Sequence, residues 1–399
     1  MIPSRESAPV FNPFSAEFTS NPYPSYKRLR EGAPVYSVRG CLGTDWVLSR
    51  YHDIRRVLMD ATYLIDDLPV RIRRIGSPSE VESLCRFLER WLFFVNPPQH
   101  TALRAAVAPH FSKAAIDGLE QAIRKLAEDL VRPLLREGRI DVVRDLAKSL
   151  PCRVAAHMLG LPMDDINRIV VWSVDLFSVF VQPASLAHYI HLNRQTEQFR
   201  EYFTARAGDS KTGLLSHLMS QSGDPDQALA FCMMLFSVGQ ETTQHLIGNS
   251  MLALLEHPEQ MERARGRVSL GIIKELARYN TPVQMIIRRA GCDMEIDGHT
   301  IRADERLHLL LGSANHDEDV FPEPEKLDLA RTEVSGLLFG TGPHVCLGMH
   351  VALLSAQIAI QTMLEQLDGL RLATRELSWI RSAHMRGLKT LPCLFNPVT

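Results

Sequence analysis

The residues with the clearest chemical potential lie in one short stretch, residues 339–348 (FGTGPHVCLG). Its three glycines and one proline predict a tight, irregular loop, and apolar spacing predicts a helix over residues 351–367. Cys346 then lies beside a helix N-terminus, where free amides and the helix dipole favour a thiolate. A thiolate binds metal ions, and loop amides that turn toward the sulfur tune its basicity. A lone cysteine is more often a small buried apolar residue, so Cys346 alone does not establish a metal site.

A second group lies in the middle of a long predicted helix, at residues 238–243 (VGQETT). Gly239 costs about 1 kcal/mol in a helix interior relative to alanine, so its presence needs a reason. The hydroxyl of Thr242 can donate to the carbonyl of Val238, four residues earlier, and bend the helix there. Glu241 and Thr242 together offer a carboxylate and a hydroxyl for proton transfer. Taken alone, these residues are better explained as a surface acid beside two β-branched core residues.

The helix that carries this motif is predicted from Asp224 to about Glu256. Asp224 is a favourable N-cap, Pro225 suits the first helical position, and Gln227 completes a capping-box pattern. Apolar side chains on nearly all faces are typical of a buried helix. Much of the remaining chain also has helical periodicity, for example residues 115–137. Strands are predicted only at residues 33–38, 45–49, 294–296, 300–301 and 306–311, with an Asp297-Gly298 hairpin turn between the third and the fourth.

Two further pairs have helical spacing. Glu275 and Arg278 are three residues apart on a predicted helix, an arrangement that is common on solvated helices and contributes little stability. His100 and Arg104 lie one helical turn apart in residues 96–104 (NPPQHTALR). Neither pair indicates a function without other observations.

The order of these motifs is similar to that of the cytochrome P450 family, and the resemblance extends over nearly the whole chain. Residues 339–348 agree at every fixed position with F-G-x-G-x-H-x-C-x-G, the haem-binding loop of that family. Residues 238–243 resemble its A-G-x-[DE]-T-T motif, with Val238 in place of the usual alanine. Residues 275–278 resemble its E-x-x-R motif. Residues 96–104 resemble D-P-P-x-H-x-x-x-R, with Asn96 in place of the usual aspartate.

The resemblance implies a mainly α fold with a small β portion and assigns roles to individual residues. Cys346 becomes the axial ligand of the iron of non-covalent haem b, and Glu241 and Thr242 become the catalytic proton-transfer residues. The implied cofactor-binding residues are His100, Arg104, Arg288, Phe339, His344, Cys346 and Gly348, with Arg289 as an alternative to Arg288. Glu275, Arg278 and Arg331 form an implied structural triad. The implied substrate pocket contains Met234, Val238, Val283, Ile286 and Met385, and valine at position 238 should narrow it.

Composition limits the possible classes of protein. The chain has 399 residues, 45% of them hydrophobic, and a formal net charge of −2, so neither nucleic acid nor a membrane surface is favoured. The longest apolar run, residues 228–236, is too short to span a bilayer, and no signal peptide is evident. The seven cysteines include no CxxC pair, which argues against disulfides and zinc. We expect a single cytoplasmic domain, over residues 1–399, that is a monomer.

The resemblance also implies an activity. It is that of a monooxygenase that hydroxylates or epoxidises a bulky, mostly apolar molecule such as a polyketide, peptide or terpenoid, free or bound to a carrier protein. The chain shows no flavin or iron–sulfur signature, so electrons would come from a ferredoxin and its reductase. One alternative is a haem-thiolate enzyme driven by peroxide. Another is a catalytically silent family member that acts as a scaffold or haem sensor.

Overall fold

Helices dominate the residues that the computed structural model describes, which are 11–40, 43–180, 185–209, 213–221, 223–332, 334 and 336–398. The α-helices in these ranges are α1 (Ala16–Ser20), α2 (Tyr23–Gly32), α3 (Tyr51–Met59), α4 (Leu68–Ile75), α5 (Pro78–Leu88), α6 (Gln99–Val107), α7 (Lys113–Asp117), α8 (Glu120–Val131), α9 (Ser149–Leu159), α10 (Ile166–Phe177), α11 (Leu186–Asp209), α12 (Gly213–Gln221), α13 (Pro225–Glu256), α14 (Pro258–Arg265), α15 (Leu270–Tyr279), α16 (Leu311–Ala314) and α17 (Met349–Gln366). None of them combines the length and the apolarity that a membrane-spanning segment needs.

The strands are short. They are β1 (Val35–Gly40), β2 (Gly43–Leu48), β3 (Tyr63–Ile65), β4 (Arg139–Asp141), β5 (Ile286–Ala290), β6 (Met294–Ile296), β7 (His299–Ile301), β8 (Arg306–Leu309), β9 (Arg371–Leu372) and β10 (Pro392–Leu394). The prediction of a mainly helical protein with a small β portion is therefore confirmed. The described residues group into two compact units, and the single-domain organisation stays a prediction.

The first unit contains the described residues of Met1–Asp66, Asn249–Cys346 and Glu376–Lys389. Its five-stranded sheet has the order β1-β2-β8-β5-β3, in which β2 and β8 are parallel and the other neighbours are antiparallel. The predicted hairpin is present as β6 and β7, with positive φ at both Asp297 and Gly298, as a two-residue type I′ turn requires. Strands β3 and β5 were not predicted from the sequence.

The second unit contains the described residues of Asp67–Gly248, Leu347–Arg375 and Thr390–Thr399. Aromatic side chains such as Trp91, Phe199 and Phe236 are fully buried in its core. A three-stranded sheet, β4-β10-β9, also belongs to this unit. The helical periodicity of residues 115–137 corresponds to two helices, because residues 118 and 119 separate α7 from α8, and α8 ends at Val131.

Helix α13 has the predicted bounds. The carboxylate of Asp224 accepts a hydrogen bond from the backbone amide of Gln227 at 3.2 Å, which satisfies one of the free amides at the helix start. The side chain of Gln227 instead donates to the carbonyl of Arg90 at 2.8 Å, so this side chain ties α13 to the segment after α5. The helix then continues for 32 residues without a break.

A buried ion-pair network lies in the first unit. On α15, both guanidinium nitrogens Nε and Nη2 of Arg278 donate to the carboxylate of Glu275 at 2.8 Å. Arg331 approaches the same carboxylate, with its Nε 3.3 Å from Oε2 of Glu275. Glu275 and Arg278 are completely buried. The structure thus brings together the three residues that the resemblance grouped as a structural triad.

Arg278 also binds the backbone of the chain that follows β8. Its Nη1 donates to the carbonyls of Asn315 at 3.1 Å and Pro324 at 2.7 Å, and its Nη2 donates to the carbonyl of Lys326 at 3.2 Å. A guanidinium satisfies so many acceptors at once because its five N–H donors are held in a rigid plane. One side chain therefore fixes three points of an irregular segment against α15.

Removing Arg278 should strongly destabilise the protein. Arg278→Ala leaves Glu275 buried without its main cationic partner and frees three carbonyls, a loss of about 3–5 kcal/mol in the free energy of unfolding. The matched control is Arg302→Ala, which removes the exposed ion pair with Asp293 and should cost less than about 1 kcal/mol. Urea unfolding followed by circular dichroism measures both. Equal losses in the two variants would contradict a structural role for Arg278.

Candidate active site

The cysteine lies in a loop whose shape depends on glycine. Gly340 and Gly342 have φ of 69° and 73°, in the left-handed region where glycine carries no steric penalty. A side chain at Gly342 would also collide with the backbone carbonyl of Leu58, at the end of α3. The loop is closed by the amide of Cys346, which donates to the carbonyl of Phe339 at 2.9 Å. The predicted tight loop is therefore present.

Cys346 is exposed and forms no disulfide. It follows a short 3₁₀ turn, Gly342–His344, and precedes α17, whose N-cap is Gly348. The predicted helix after the loop is confirmed, although it starts at Met349, two residues earlier than expected. An exposed thiol between the 3₁₀ turn and α17 is accessible to a metal ion.

The structure separates the two arginines that the sequence left as alternatives. On β5, Arg289 forms an ion pair with Asp304 at the surface. Arg288 is buried, and its Nη1 donates to the carbonyl of Ile287 at 2.9 Å. Burial lowers the pKa of Arg288 to about 10, and no carboxylate of the described residues lies within ion-pair distance of it. A buried cation of this kind needs an anionic partner, which a haem propionate would supply.

His100 and Arg104 lie on α6 in the second unit. His100 is buried and Arg104 is half-buried, and their spacing of four residues places them on the same side of the helix. Both side chains could bind an anionic group. His344, in the first unit, is half-buried in the 3₁₀ turn of the cysteine loop.

The motif in α13 has the local geometry that its residues suggest. The hydroxyl of Thr242 donates to the carbonyl of Val238 at 3.1 Å, which confirms the predicted bond, and the hydroxyl of Thr243 donates to the carbonyl of Gly239 at 2.8 Å. Apart from the nearby backbone of α13 itself, no atom of the described residues lies within 4 Å of the position that a Cβ at Gly239 would occupy. Glycine thus keeps one side of this turn open, where a small molecule could be accommodated.

Glu241 is the unusual acid of α13. Burial raises the pKa of its carboxyl to about 7, and the positive charge of Lys148 opposes this shift. An acid with a pKa near neutrality can both take up and release a proton at physiological pH. The effect of Lys148 on Glu241 could not be predicted from sequence spacing, because Lys148 lies more than 90 residues before Glu241 and on another element.

The predicted substrate-pocket residues fall into two sets. Met234 and Val238, four residues apart on α13, pack in the core of the second unit. In the first unit, Val283 pairs with Met385 through an isolated antiparallel bridge, and Ile286 begins β5. All five side chains are apolar, which suits an apolar ligand.

Aromatic rings add a cluster that the sequence did not predict. In the second unit, Phe94 and Phe180 are stacked with ring centroids 5.4 Å apart and an interplanar angle of 4°. The ring of Trp91 also stacks on that of Phe180, with the centroids 6.0 Å apart. The rings of Phe93 and Phe180 are arranged edge-on, with the centroids 4.8 Å apart. Periodicity carries no signal for this cluster, because its members come from irregular segments that are distant in sequence.

Replacing Glu241 should change how stability depends on pH. The pKa in the folded protein lies above the unfolded value, so the folded state binds more protons between about pH 4.5 and pH 7 and its stability falls as the pH rises through this window. Glu241→Gln removes this loss. Its free energy of unfolding should exceed that of the wild type above pH 7, by up to about 3 kcal/mol, and should match it near pH 4.5.

The measurement is urea unfolding at a series of pH values. Glu31→Gln, at an exposed position of α2, is the control and should follow the wild type throughout. A constant difference between Glu241→Gln and the wild type at all pH values would show that Glu241 does not titrate in this window.

Comparisons with known proteins agree over nearly the full length. A sequence model described as cytochrome P450 matches residues 271–372. The chain is 31% identical over 392 residues to the biotin biosynthesis cytochrome P450 of Bacillus subtilis (strain 168), covering 96% of this chain and 98% of that protein. It is 32% identical over 395 residues to the vitamin D(3) 25-hydroxylase of Pseudonocardia autotrophica, covering 96% of each.

A solved structure gives the same result for the fold. P450BioI in complex with acyl carrier protein ligated to hexadec-9Z-enoic acid superposes with a TM-score of 0.88 at 30% identity, covering 96% of this chain and 100% of that chain. The family implies a haem cofactor, and the relatives of this chain include the hydroxylase named above and the cytochrome P450 monooxygenase PikC of Streptomyces venezuelae, both of which are oxidoreductases. The predicted fold and enzyme class are confirmed: this chain belongs to the cytochrome P450 family.

Proposed function

We propose that the protein uses haem b, with Cys346 as the axial ligand, to insert one oxygen atom from dioxygen into a bulky, mostly apolar small molecule. The observation that carries this proposal is the loop that presents Cys346. Its backbone has positive φ at two glycines, and the hydrogen bond from the amide of Cys346 to the carbonyl of Phe339 closes it. The side chain of the cysteine stays exposed before α17. Such a loop fixes the position of a thiolate without covering it.

The charged residues fit the same cofactor. Arg288 is buried without a carboxylate partner among the described residues, so it suits a propionate. His100, Arg104 and His344 are the other proposed propionate partners. Phe339 and Gly348 are the proposed neighbours of the haem edge on either side of the thiolate. The haem supplies the reductive activation of dioxygen.

The chain's own residues then manage binding and protons. When haem is bound, the thiolate of Cys346 would hold its iron and would donate electron density through the sulfur. Glu241 takes up a proton from solvent and passes it toward the hydroxyl of Thr242, which is held by its bond to Val238. The pKa of Glu241, raised to about 7 by burial, suits both steps. Electrons come from a separate ferredoxin and its reductase.

The apolar residues define the substrate class. Met234, Val238, Val283, Ile286 and Met385 offer shape and apolar contact but no charge, so they suit a large apolar molecule. Two relatives carry names or titles that involve a vitamin D(3) hydroxylation and a fatty acid bound to acyl carrier protein. Tailoring of a natural product such as a polyketide, peptide or terpenoid, by hydroxylation or epoxidation, is the function we propose. The peroxide-driven and silent alternatives are less well supported, because Glu241, Thr242 and Cys346 are all present.

The spectrum of the reduced, carbon monoxide-bound protein tests the ligand. The wild type should show its Soret band at the position typical of thiolate ligation, and Cys346→Ser should lose this band. Cys292→Ser removes another exposed cysteine and should leave the band unchanged. A band at the histidine-ligated position in the wild type would refute the proposal. Turnover that requires hydrogen peroxide and fails with dioxygen plus ferredoxin would instead favour the peroxide-driven enzyme.

Position 238 should control the size of the substrate. Val238→Ala removes two methyl groups beside the opening at Gly239 and should tighten binding of the bulkiest compounds by up to about tenfold. Binding is measured by the spectral shift that follows displacement of iron-bound water, with a panel of a fatty acid, a secosteroid and a macrolide. Val171→Ala, at an exposed position of α10, is the control. Equal affinities of Val238→Ala and the wild type for the whole panel would contradict a role in size selection.

A further inference from the structure

Three polar residues form a stripe along one side of α13. Ser237, Glu241 and His245 are spaced by four residues, so their side chains are neighbours on the helix surface, and we call them the polar stripe. Ser237 and His245 are buried, with 0% and 3% of their surface exposed. Buried polar side chains of this kind normally have hydrogen-bond partners.

Two members of the polar stripe, Ser237 and His245, lack a hydrogen-bond partner in the described part of the chain. The hydroxyl of Ser237 and both ring nitrogens of His245 form no hydrogen bond with any described residue. Other polar groups of the same turns are already used, since Gln240 accepts from the thiol of Cys152 at 3.0 Å and Thr243 donates to Gly239. A buried polar group without a partner costs about 1–3 kcal/mol, so these groups must bind something else.

Internal water is the ligand that fits. Burial lowers the pKa of His245 to about 4, so its imidazole is neutral and offers one N–H donor and one acceptor nitrogen. Buried water molecules typically satisfy such groups, each with two to four polar partners. Water next to His245 has Glu241 as its neighbour one turn away on the same helix. Lys148, whose side chain is exposed, carries the charge that acts on Glu241 from another element.

We propose that ordered water fills the polar stripe and that His245 is a positioning residue for proton transfer through Glu241. This rests on the proposed function. The acceptor nitrogen of His245 accepts a hydrogen bond from one water molecule and its N–H donates to a second, so the ring orders the water through which a proton from solvent reaches Glu241. The proton passes between water molecules, and the imidazole neither gains nor loses a proton. Glu241 takes up its next proton from solvent through this ordered water, after it has passed one toward Thr242.

The first test examines water and hydrogen bonding directly in the haem-loaded protein. The C=O stretch of the protonated Glu241 carboxyl is recorded by infrared spectroscopy at about pH 5, where the raised pKa keeps the group neutral, and is assigned by its loss in Glu241→Gln. His245→Leu should move the band to higher frequency, because the carboxyl loses its bound water. His245→Asn, which keeps one donor and one acceptor, should move it less.

The second test measures turnover with a plant ferredoxin, its reductase and the panel compound that binds most tightly. His245→Leu should lower the product formed per NADPH by about tenfold and raise the hydrogen peroxide released. Ser250→Ala is the matched control, since it removes another buried hydroxyl without a described partner from a different side of α13. It should match the wild type in both tests.

The outcomes separate this inference from the proposed function. An unchanged infrared band and product yield in both His245→Leu and His245→Asn, in a protein that shows the thiolate Soret band, overturn the inference alone. A wild type without the thiolate band refutes the proposed function and with it the proton transfer. A shift that occurs equally in Ser250→Ala would show a general loosening of α13 and would also overturn the role of His245.

Discussion

The first unit depends on the ion pair and the hydrogen bonds that the guanidinium of Arg278 forms. This guanidinium is completely buried, pairs with Glu275, and holds three carbonyls of the segment after β8. That segment has few regular hydrogen bonds of its own and continues, through Arg331, into the cysteine loop. Burying the charges of Glu275 and Arg278 raises the free energy of the folded state, and only the complete set of hydrogen-bond partners offsets this increase. The network therefore permits one arrangement of this chain and penalises others.

The cysteine loop uses a different means to the same end. It carries no buried charge, and its shape follows from backbone angles that glycine alone adopts without strain and from the close approach of Gly342 to Leu58. The position of Cys346 thus depends on glycines in the loop and on the hydrogen bonds of Arg278 in the segment before it. Helix α13 differs from both, because Gly239, Glu241 and His245 each lower the stability of the folded state. Costs concentrated in one helix are typical of residues retained for chemistry.

Local signals in the sequence predicted local structure well. The start of α13 follows from Asp224 and Pro225, and the Asp297-Gly298 turn follows from the residues that tolerate positive φ. The loop before α17 was predicted because glycine and proline act on their own neighbours. These features needed no knowledge of distant contacts, and for the same reason the family resemblance could be read from them.

Features that depend on distant contacts were missed or incomplete. The pairing of β3 with β5 joins segments more than 200 residues apart, and short strands have no periodicity of their own. The contact of Arg331 with Glu275 came only from the resemblance, because spacing on a helix explains Arg278 but not a third residue 56 positions away. The choice between Arg288 and Arg289, and the unsatisfied nitrogens of His245, required a view of what surrounds each side chain.

The buried Arg288 has a consequence for how the protein is made in a cell. Its guanidinium is desolvated without a carboxylate partner among the described residues. An anion that binds there therefore offsets part of the desolvation free energy of Arg288. A ligand that binds only the native chain stabilises it in proportion to the logarithm of its free concentration. With the proposed contact between Arg288 and a haem propionate, the yield of folded enzyme would rise with the supply of haem during synthesis, and chains made when haem is scarce would be exposed to proteases for longer. The supply of haem would then influence the lifetime of this polypeptide.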